Sequence, residues 1–402
     1  MALQAEIMGA LDSIRVLDFT RAMAGPYCTM MLGDMGAEIW KIEMPGKGDE
    51  TRSWGPPFFQ NDVSAYFVSA NRNKKSITLN LKHPRSKEVV ERLATKCDIL
   101  VENFRPGTMA KLGSGYDRIS AVNPDIIYCS ISGFGQDGPY TERAAYDIIM
   151  QGMGGLMSIT GEEGRPPVKV GIAITDIAAG MFANSAILAA LYSREKGSGG
   201  QYIDISMLDC QAAWMSHQAS AYFATGKNPE RMGSKHPQMI PNQAVKSRNG
   251  YVIVGAGNDR LWAKMCTAAG RTDLIDDPRF STNPDRIRNR EILDPLLDEI
   301  FQERDTEEWV EIMLEAGVPC GPVLALSQLF KDPQVIQRDM VIEAEHPTAG
   351  TIKLTGFPMK FSSTPERLSI PPPLLGQHKD EILAAAGYSA DEIEKLKREK
   401  VV

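Results

Sequence analysis

Asp176 is the residue whose setting could do chemistry. It lies in Val170–Tyr192, VGIAITDIAAGMFANSAILAALY, between a β-branched apolar run, Val170–Ile174, and a long segment rich in Ala, Ile and Leu. The first run reads as a buried strand or an extended entry. The second reads as a helix, apolar on nearly every face and therefore buried. Asp176 is then a carboxylate at the N-terminus of a buried helix. One reading is an N-cap, its oxygen accepting an early helix N–H. The other is a nucleophile. The positive helix end would keep it ionised, although burial raises an Asp pKa, and a partly dehydrated carboxylate can attack an activated acyl group. A second acid, Asp147, precedes it in Arg143-Ala144-Ala145-Tyr146-Asp147.

The elements that must position such a pair alternate along the first half. Ile14–Phe19, Glu38–Glu43, Ser76–Leu81, Asp98–Glu102 and Ile126–Ile131 read as strands. A helix runs to about Met35, and another spans Val89–Thr95. This order predicts an α/β domain with a mostly parallel sheet, whose ligands bind at the C-terminal strand ends. The loop after the first strand lacks G-x-G-x-x-G, so no dinucleotide fingerprint is present. Ser132–Tyr140 holds three glycines that allow close backbone approach to a ligand.

Cations gather in the strand-end loops: Lys47 and Arg52; Arg72, Lys74 and Lys75; Lys82; Arg105 and Lys111. One reading is solvated surface charge. The other is a site for a nucleotide-bearing phosphate ligand, with cations on the phosphates and Phe104 against a base.

Composition bounds these readings. The chain has 402 residues, 43% hydrophobic and 24% charged, which is ordinary for a soluble enzyme of two domains. The net charge of −7 argues against a general nucleic-acid binder. Six scattered cysteines form no C-x-x-C pair, so neither a disulfide framework nor a zinc site is indicated, and a reducing compartment is expected. The opening MALQAEIMGALDSI shows no secretory pattern, and Asp176 and Asn184 interrupt the longest apolar helix, so a cytoplasmic protein with no membrane span is expected. A matrix location is the alternative for a processed eukaryotic chain.

Several segments together carry a family resemblance. LDFTRAMAGPYCTMMLGDMGAEIWKIEMPGKGDETRSWGPP, NRNKKSITLNL, VENFRPG, SGFGQDGPY, AAYD, TDIAAGM and PPPLLGQH are similar to the class III CoA-transferases, the family of formyl-CoA transferase and α-methylacyl-CoA racemase. The similarity runs from about Leu11 past Gly387 and is greatest toward the succinyl-CoA:glutarate branch. By that resemblance Asp176 is the nucleophile that carries CoA as an aspartyl thioester, with acyl-CoA and a small dicarboxylic acid as substrates and no metal. The resemblance also assigns CoA contacts. They fall on Ala22, Met23 and Ala24; on Leu79, Asn80 and Lys82; on Asn103, Phe104, Arg105 and Lys111; and on Tyr146 and Asp147.

Three departures separate the chain from formyl-CoA transferase. Met23 replaces a glutamine, Ala144 replaces a lysine, and Lys235–Pro241 replaces a polyglycine loop. The last segment is expected to help choose the acceptor, with Arg21, Arg52, Arg105, Arg143 and His236 as candidate readers of a distal carboxylate. The racemase branch carries a histidine base where this chain has Tyr146, a poor base at neutral pH. A non-catalytic acyl-CoA-binding protein is a third reading, disfavoured by the carboxylate at 176.

The second half reads as a small α+β domain. Ala219–Arg231 is a polar break. Asn249-Gly250 before an apolar run signals a hairpin. Helical periodicity covers Asp259–Ala269, Arg288–Phe301 and Thr306–Ala316, Cys320 reads as a structural thiol, and Ile352–Leu354 and Met359–Phe361 read as short strands. Helices are expected at Lys379–Ala386 and Ala390–Arg398. The expected domains are a Rossmann-like CoA-binding domain over 1–222, a small domain over 223–330, and a C-terminal part, 331–402, returning to the large domain. The resemblance further implies an interlocked homodimer.

Overall fold

The computed structural model describes residues 9–402, so the first eight residues of the opening segment lie outside the description. Six strands form one parallel sheet: β1 (Arg15–Asp18), β2 (Glu38–Glu43), β3 (Lys74–Thr78), β4 (Ile99–Glu102), β5 (Ile127–Ser132) and β6 (Gln201–Ser206). Their order is β3-β2-β1-β4-β5-β6, with every pair parallel. The order reverses between β1 and β4, and in such sheets a ligand crevice opens at that point, beyond the carboxyl ends. β3 starts and ends earlier than the apolar pattern implies, because Leu79 already bonds back to Glu43 as the chain leaves the sheet. β6, QYIDIS, is a strand the sequence reading lacks.

Each face of the sheet buries its own cluster. α1 (Ala24–Asp34), α5 (Ile174–Ser193) and α6 (Met207–Trp214) cover one, with Val16, Ile39, Val101 and Ile131 beneath them. Here α2 is Ser86–Ala94, α3 is Tyr116–Val122 and α4 is Asp147–Met153. The other face packs Leu17, Trp40 and Leu100 against Val90 and Leu93 of α2 and Ile119 of α3. The C-terminal helices Lys379–Ala385 and Ala390–Arg398 add Ile382, Leu383, Ile393 and Leu396 to that same cluster. Each such side chain taken from water contributes about 1.5–3 kcal/mol.

α5 packs tightly on α1 because Gly180 has no Cβ; one built there would sit 2.6 Å from the Ala24 carbonyl oxygen. The expectation that α5 is buried on all faces is corrected: Ala179, Ala183 and Ile187 face the core, while Met181, Phe182 and Tyr192 are exposed. By length and composition the segment 174–198 could cross a membrane, but half of its most apolar window is packed inside this α/β fold.

The chain forms two compact units. The first comprises residues up to Leu156, Lys169–Ser220 and Pro333–Val402; the second comprises Met157–Val168 and Ala221–Asp332. The polar break expected over Ala219–Arg231 is instead helical as far as Thr225, since its Ala, Tyr and Phe content sustains a helix from Ser216. In the second unit, the hairpin Asn242–Lys246 with Tyr251–Gly255 is joined by Cys320–Pro322 in a three-stranded antiparallel sheet. Trp262, Leu297, Phe301 and Trp309 form its core. The helix expected over Arg288–Phe301 is broken at Asn289, whose backbone leaves the helical region between Asn283–Arg288 and Arg290–Phe301. Arg286 is fully buried there and donates to the carbonyls of Ile240, Phe280 and Gly257 and to Asp259. In the first unit, Val341–His346 pairs with Gly350–Thr355, whereas Met359–Phe361 is irregular and not a strand.

Candidate active site

A cavity of about 820 Å³ opens at the carboxyl ends of β1, β4 and β5, at the point where the strand order reverses. Its walls are the loop Arg21–Ala24 after β1, the loop Asn103–Pro106 after β4, the segment Thr141–Ile148 and the approach to α5. Asp176 faces into it.

Asp176 is not a cap. Ala173 occupies the N-cap position without a side-chain bond, the helix starts at Ile174, and Asp176 belongs to the first turn. Of the two readings of Val170–Ile174, strand or extended entry, no strand forms: residues 170–173 lead as a loop into the helix that starts at Ile174. Asp147 Oδ1 accepts from the backbone N–H of Thr175 at 2.8 Å and from its hydroxyl at 2.6 Å. Gln151, fully buried, donates to Asp147 Oδ2 at 2.7 Å and accepts from the Val170 N–H at 2.8 Å. Asp147 thus satisfies an early helix donor from outside the helix, and the Asp176 side chain is left for the cavity.

Burial, and then the charge of Asp147, push Asp176 up to about 7. Burial and the like charge of Asp147 thus act against the helix end, which favours the ionised form. Tyr66 shares the cavity and stacks edge-on against Trp54 at 4.9 Å. Burial and the nearby charges of Asp176 and Asp147 raise its phenol to about 12, so it stays a hydrogen-bond donor. The sequence reading passes over both Tyr66 and Gln151. Neither sits in a motif, and only the fold brings them to the carboxylates.

Of the residues assigned to CoA by resemblance, Ala22, Met23, Ala24, Asn103, Phe104, Arg105, Tyr146 and Asp147 line the cavity. Leu79, Asn80, Lys82 and Lys111 do not line it. Leu79 is buried in the core, Asn80 bonds through its backbone to Val401, and Lys82 and Lys111 are exposed. The glycine-rich loop contributes Gly133, where a Cβ would lie 2.1 Å from that of Ala145, so the turn and the Ala145–Asp147 segment meet only because residue 133 has no side chain.

Several cations read as surface charge or phosphate ligands are neither. Lys74 is fully buried and pairs with Asp18 at 3.2 Å; Lys41, inside strand β2, is likewise fully buried and pairs with Asp49 at 3.0 Å. Arg72 is bidentate on buried Asp34. Arg52 is bidentate on Glu43, lies over the Phe67 ring at 3.8 Å and does not line the cavity. Burial alone would raise Asp18, but Lys74, Lys41 and the hydroxyls of Thr20 and Thr29 hold it below the usual value. The cavity's own cations are Arg21, Arg105, Arg143 and Lys169, none in a salt bridge among the described residues. Arg21 lies over Phe104 at 4.5 Å, and Arg143 over Tyr140 at 3.6 Å. No histidine lines the cavity. His236, a candidate carboxylate reader, belongs to the second unit.

All six cysteines are free, and burial pushes the Cys320 thiol up, as suits a structural residue. Among the described residues no cluster of His, Cys, Asp and Glu could hold a metal ion.

Among the described residues the arrangement offers a partly buried carboxylate without a cation partner, a phenol in the same cavity, and cations around the walls that form no salt bridge. That set suits nucleophilic acyl transfer to a carboxylate from an anionic, extended substrate.

Comparison with known proteins places the chain in a wider set. The family model for CoA-transferase family III matches residues 11–379. A human succinyl-CoA:glutarate CoA-transferase is 44% identical over 373 residues, covering 93% of this chain and 85% of that protein. A succinate–glutarate CoA-transferase from Agrobacterium fabrum is 38% identical, covering 93% and 95%. A CAIB/BAIF family protein from Brucella suis has a similar solved structure, with a TM-score of 0.85 at 39% identity, covering 94% of this chain and all (100%) of that one.

Proposed function

The chain belongs to CoA-transferase family III, and on that premise we propose that it moves CoA from succinyl-CoA to a small, glutarate-like dicarboxylate through Asp176. The observation that carries this reading is the Asp176 carboxylate, without a cation partner among the described residues, in a cavity also lined by Arg21, Arg105 and Arg143. The similarity to enzymes named for succinyl-CoA and glutarate supports the choice of substrates.

In the first step the Asp176 carboxylate attacks the donor thioester carbonyl. The C–S bond breaks, CoA leaves as thiolate, and a mixed anhydride remains. The thiolate then attacks the aspartyl carbonyl, expelling succinate and leaving Asp176 as a CoA thioester. The acceptor carboxylate reverses both steps. Dehydration assists, because the attacking anion loses its charge as the anhydride forms. In this reading Tyr66, which lines the same cavity, donates to a developing oxyanion.

In this reading the phosphopantetheine arm passes Met23, Ala24, the backbone of Asn103, Phe104 and Arg105, and the nucleotide end reaches Asn80, Lys82 and Lys111, while Leu79 stays in the core beneath. Arg143 and Lys169 are the preferred readers of the distal carboxylate, since they share the wall formed by the approach to Asp147 and Asp176. A second copy of the chain covers the exposed Met181, Phe182 and Tyr192 of α5. The reducing compartment that suits six free thiols is the cytoplasm or a mitochondrial matrix.

The test is an acceptor screen by mass spectrometry. Succinyl-CoA is incubated with free dicarboxylic acids, and each new acyl-CoA is measured against released succinate. Equimolar exchange with a dicarboxylate supports the reading. Turnover retained in Asp176→Ala, or no exchange with any acid, overturns it. An α-methylacyl-CoA racemase would need a base at Tyr146 and would instead exchange the α-proton of a 2-methylacyl-CoA with heavy water.

A further inference from the structure

We propose that Asn103 is a positioning residue that locks the Arg21–Ala24 wall of the cavity, and that its carboxamide does not itself hold the substrate. Both ends of that carboxamide are already engaged. Its Oδ1 accepts the Arg21 N–H at 2.8 Å, and its Nδ2 donates to the Arg21 carbonyl at 2.8 Å. The two bonds fix the orientation of the amide, because a flipped group would set donor against donor and acceptor against acceptor.

The loop needs such a lock. Ala22 has φ of +63°, a left-handed conformation that residues with a Cβ rarely adopt without external ties. Asn103 ties the residue before it. On the other side the Ala22 N–H reaches Asp49 Oδ1 at 3.3 Å, and Asp49 is paired with buried Lys41. Lys41 also donates to the Thr20 carbonyl at 2.8 Å. Asn103 is in turn held by the turn after β4, where Glu102 accepts the Phe104 N–H at 2.8 Å. The Arg21 guanidinium over the Phe104 ring ties the same two loops a second time.

Met23 and Ala24 follow the locked residue and face the cavity. A displaced loop would spoil the alignment of thioester and Asp176 more than it would weaken the grip on CoA. This inference rests on the transferase reading, so its test carries one readout that needs no turnover.

The experiment compares wild type with Asn103→Ala and Asn103→Asp. The second variant keeps the acceptor for the Arg21 N–H but sets an oxygen against the Arg21 carbonyl. Hydrogen–deuterium exchange of the peptide spanning Arg21–Ala24 should rise in both variants while the rest of the chain stays protected. In the transfer assay kcat should fall about 10–100-fold, as expected for a small misalignment of reacting groups. The Kd for CoA, measured by calorimetry, should stay within about threefold of wild type, since both ends of the carboxamide are already engaged by Arg21. Unchanged exchange at Arg21–Ala24 overturns the lock. A CoA Kd that weakens in step with kcat/KM makes Asn103 a direct ligand and also overturns it. If wild type transfers to no acid, the functional reading fails, while the exchange and CoA-binding data still decide the role of Asn103.

Discussion

Catalysis should fade on the acid side of neutrality, and the fold should be more stable without the group responsible. Burial and Asp147 hold Asp176 at about 7. A group with that pKa is about 90% ionised at pH 8, about half at pH 7 and about a tenth at pH 6. If only the carboxylate attacks, kcat/KM falls about tenfold from pH 8 to pH 6, along a limb of one proton. Holding an aspartate about three pH units above its free value corresponds to at most about 4 kcal/mol. Water entering the cavity screens part of that. The sign follows from proton affinity. The folded state binds this proton more tightly than the unfolded chain, so the stability it lends is complete below about pH 4 and is lost as pH rises to about 7. Asp176→Asn cannot ionise. It should match wild type near pH 4 and exceed its stability by up to about 4 kcal/mol at pH 8. Urea unfolding of both proteins across this range, beside the pH–rate profile of wild type, makes the measurement. A flat rate profile, or a stability gap that does not change with pH, would refute the reasoning.

Three further outcomes are expected. Asp147→Asn keeps an oxygen for Thr175 but removes the like charge, so the acid limb of kcat/KM should move to lower pH; a limb that stays put or moves up contradicts the assigned cause. Gln151→Leu strands Asp147 Oδ2 and the Val170 N–H, and should cost about 1–3 kcal/mol in unfolding experiments while lowering kcat more than CoA affinity. Arg286→Met removes a buried guanidinium from three carbonyls and Asp259, and should destabilise the second unit by about 3–5 kcal/mol, read by tryptophan fluorescence because Trp262 lies 5.1 Å beneath the guanidinium.

The first half of the fold was legible because buried parallel strands and covering helices leave strong local patterns. EIWKIE and ILVE show their strands directly. QYIDIS was harder, since an edge strand alternates exposed and covered positions with few apolar residues. Asp176 was legible from its lone charge in an apolar run, but its environment was not. Asp147 and Gln151 come to the start of α5 only through the packing of α4 on α5. The buried pairs Asp18–Lys74 and Asp34–Arg72 join residues far apart in sequence, and each cation taken alone looks like surface charge. A clue was available at Lys41, a lysine inside an apolar strand, which had to find an acid or leave the sheet. Asn103 illustrates the same limit: a motif marked it as important, and only its two bonds to Arg21 say how.

The C-terminal helices that complete one face of the sheet have a consequence for synthesis of the chain. Leu17, Trp40, Leu93 and Leu100 emerge early, but Ile382, Leu383, Ile393 and Leu396, which finish covering them, come last. At about 5–20 residues per second, the roughly 250 residues between β5 and those helices occupy the ribosome for about 12–50 s. Through that interval a sticky sheet face stands half-dressed, and chaperones or neighbouring chains compete for it. Premature termination beyond Asp332 would leave every residue of the cavity present and the product prone to aggregate, so yield of soluble protein should track completion of the chain more closely than any feature of the active site.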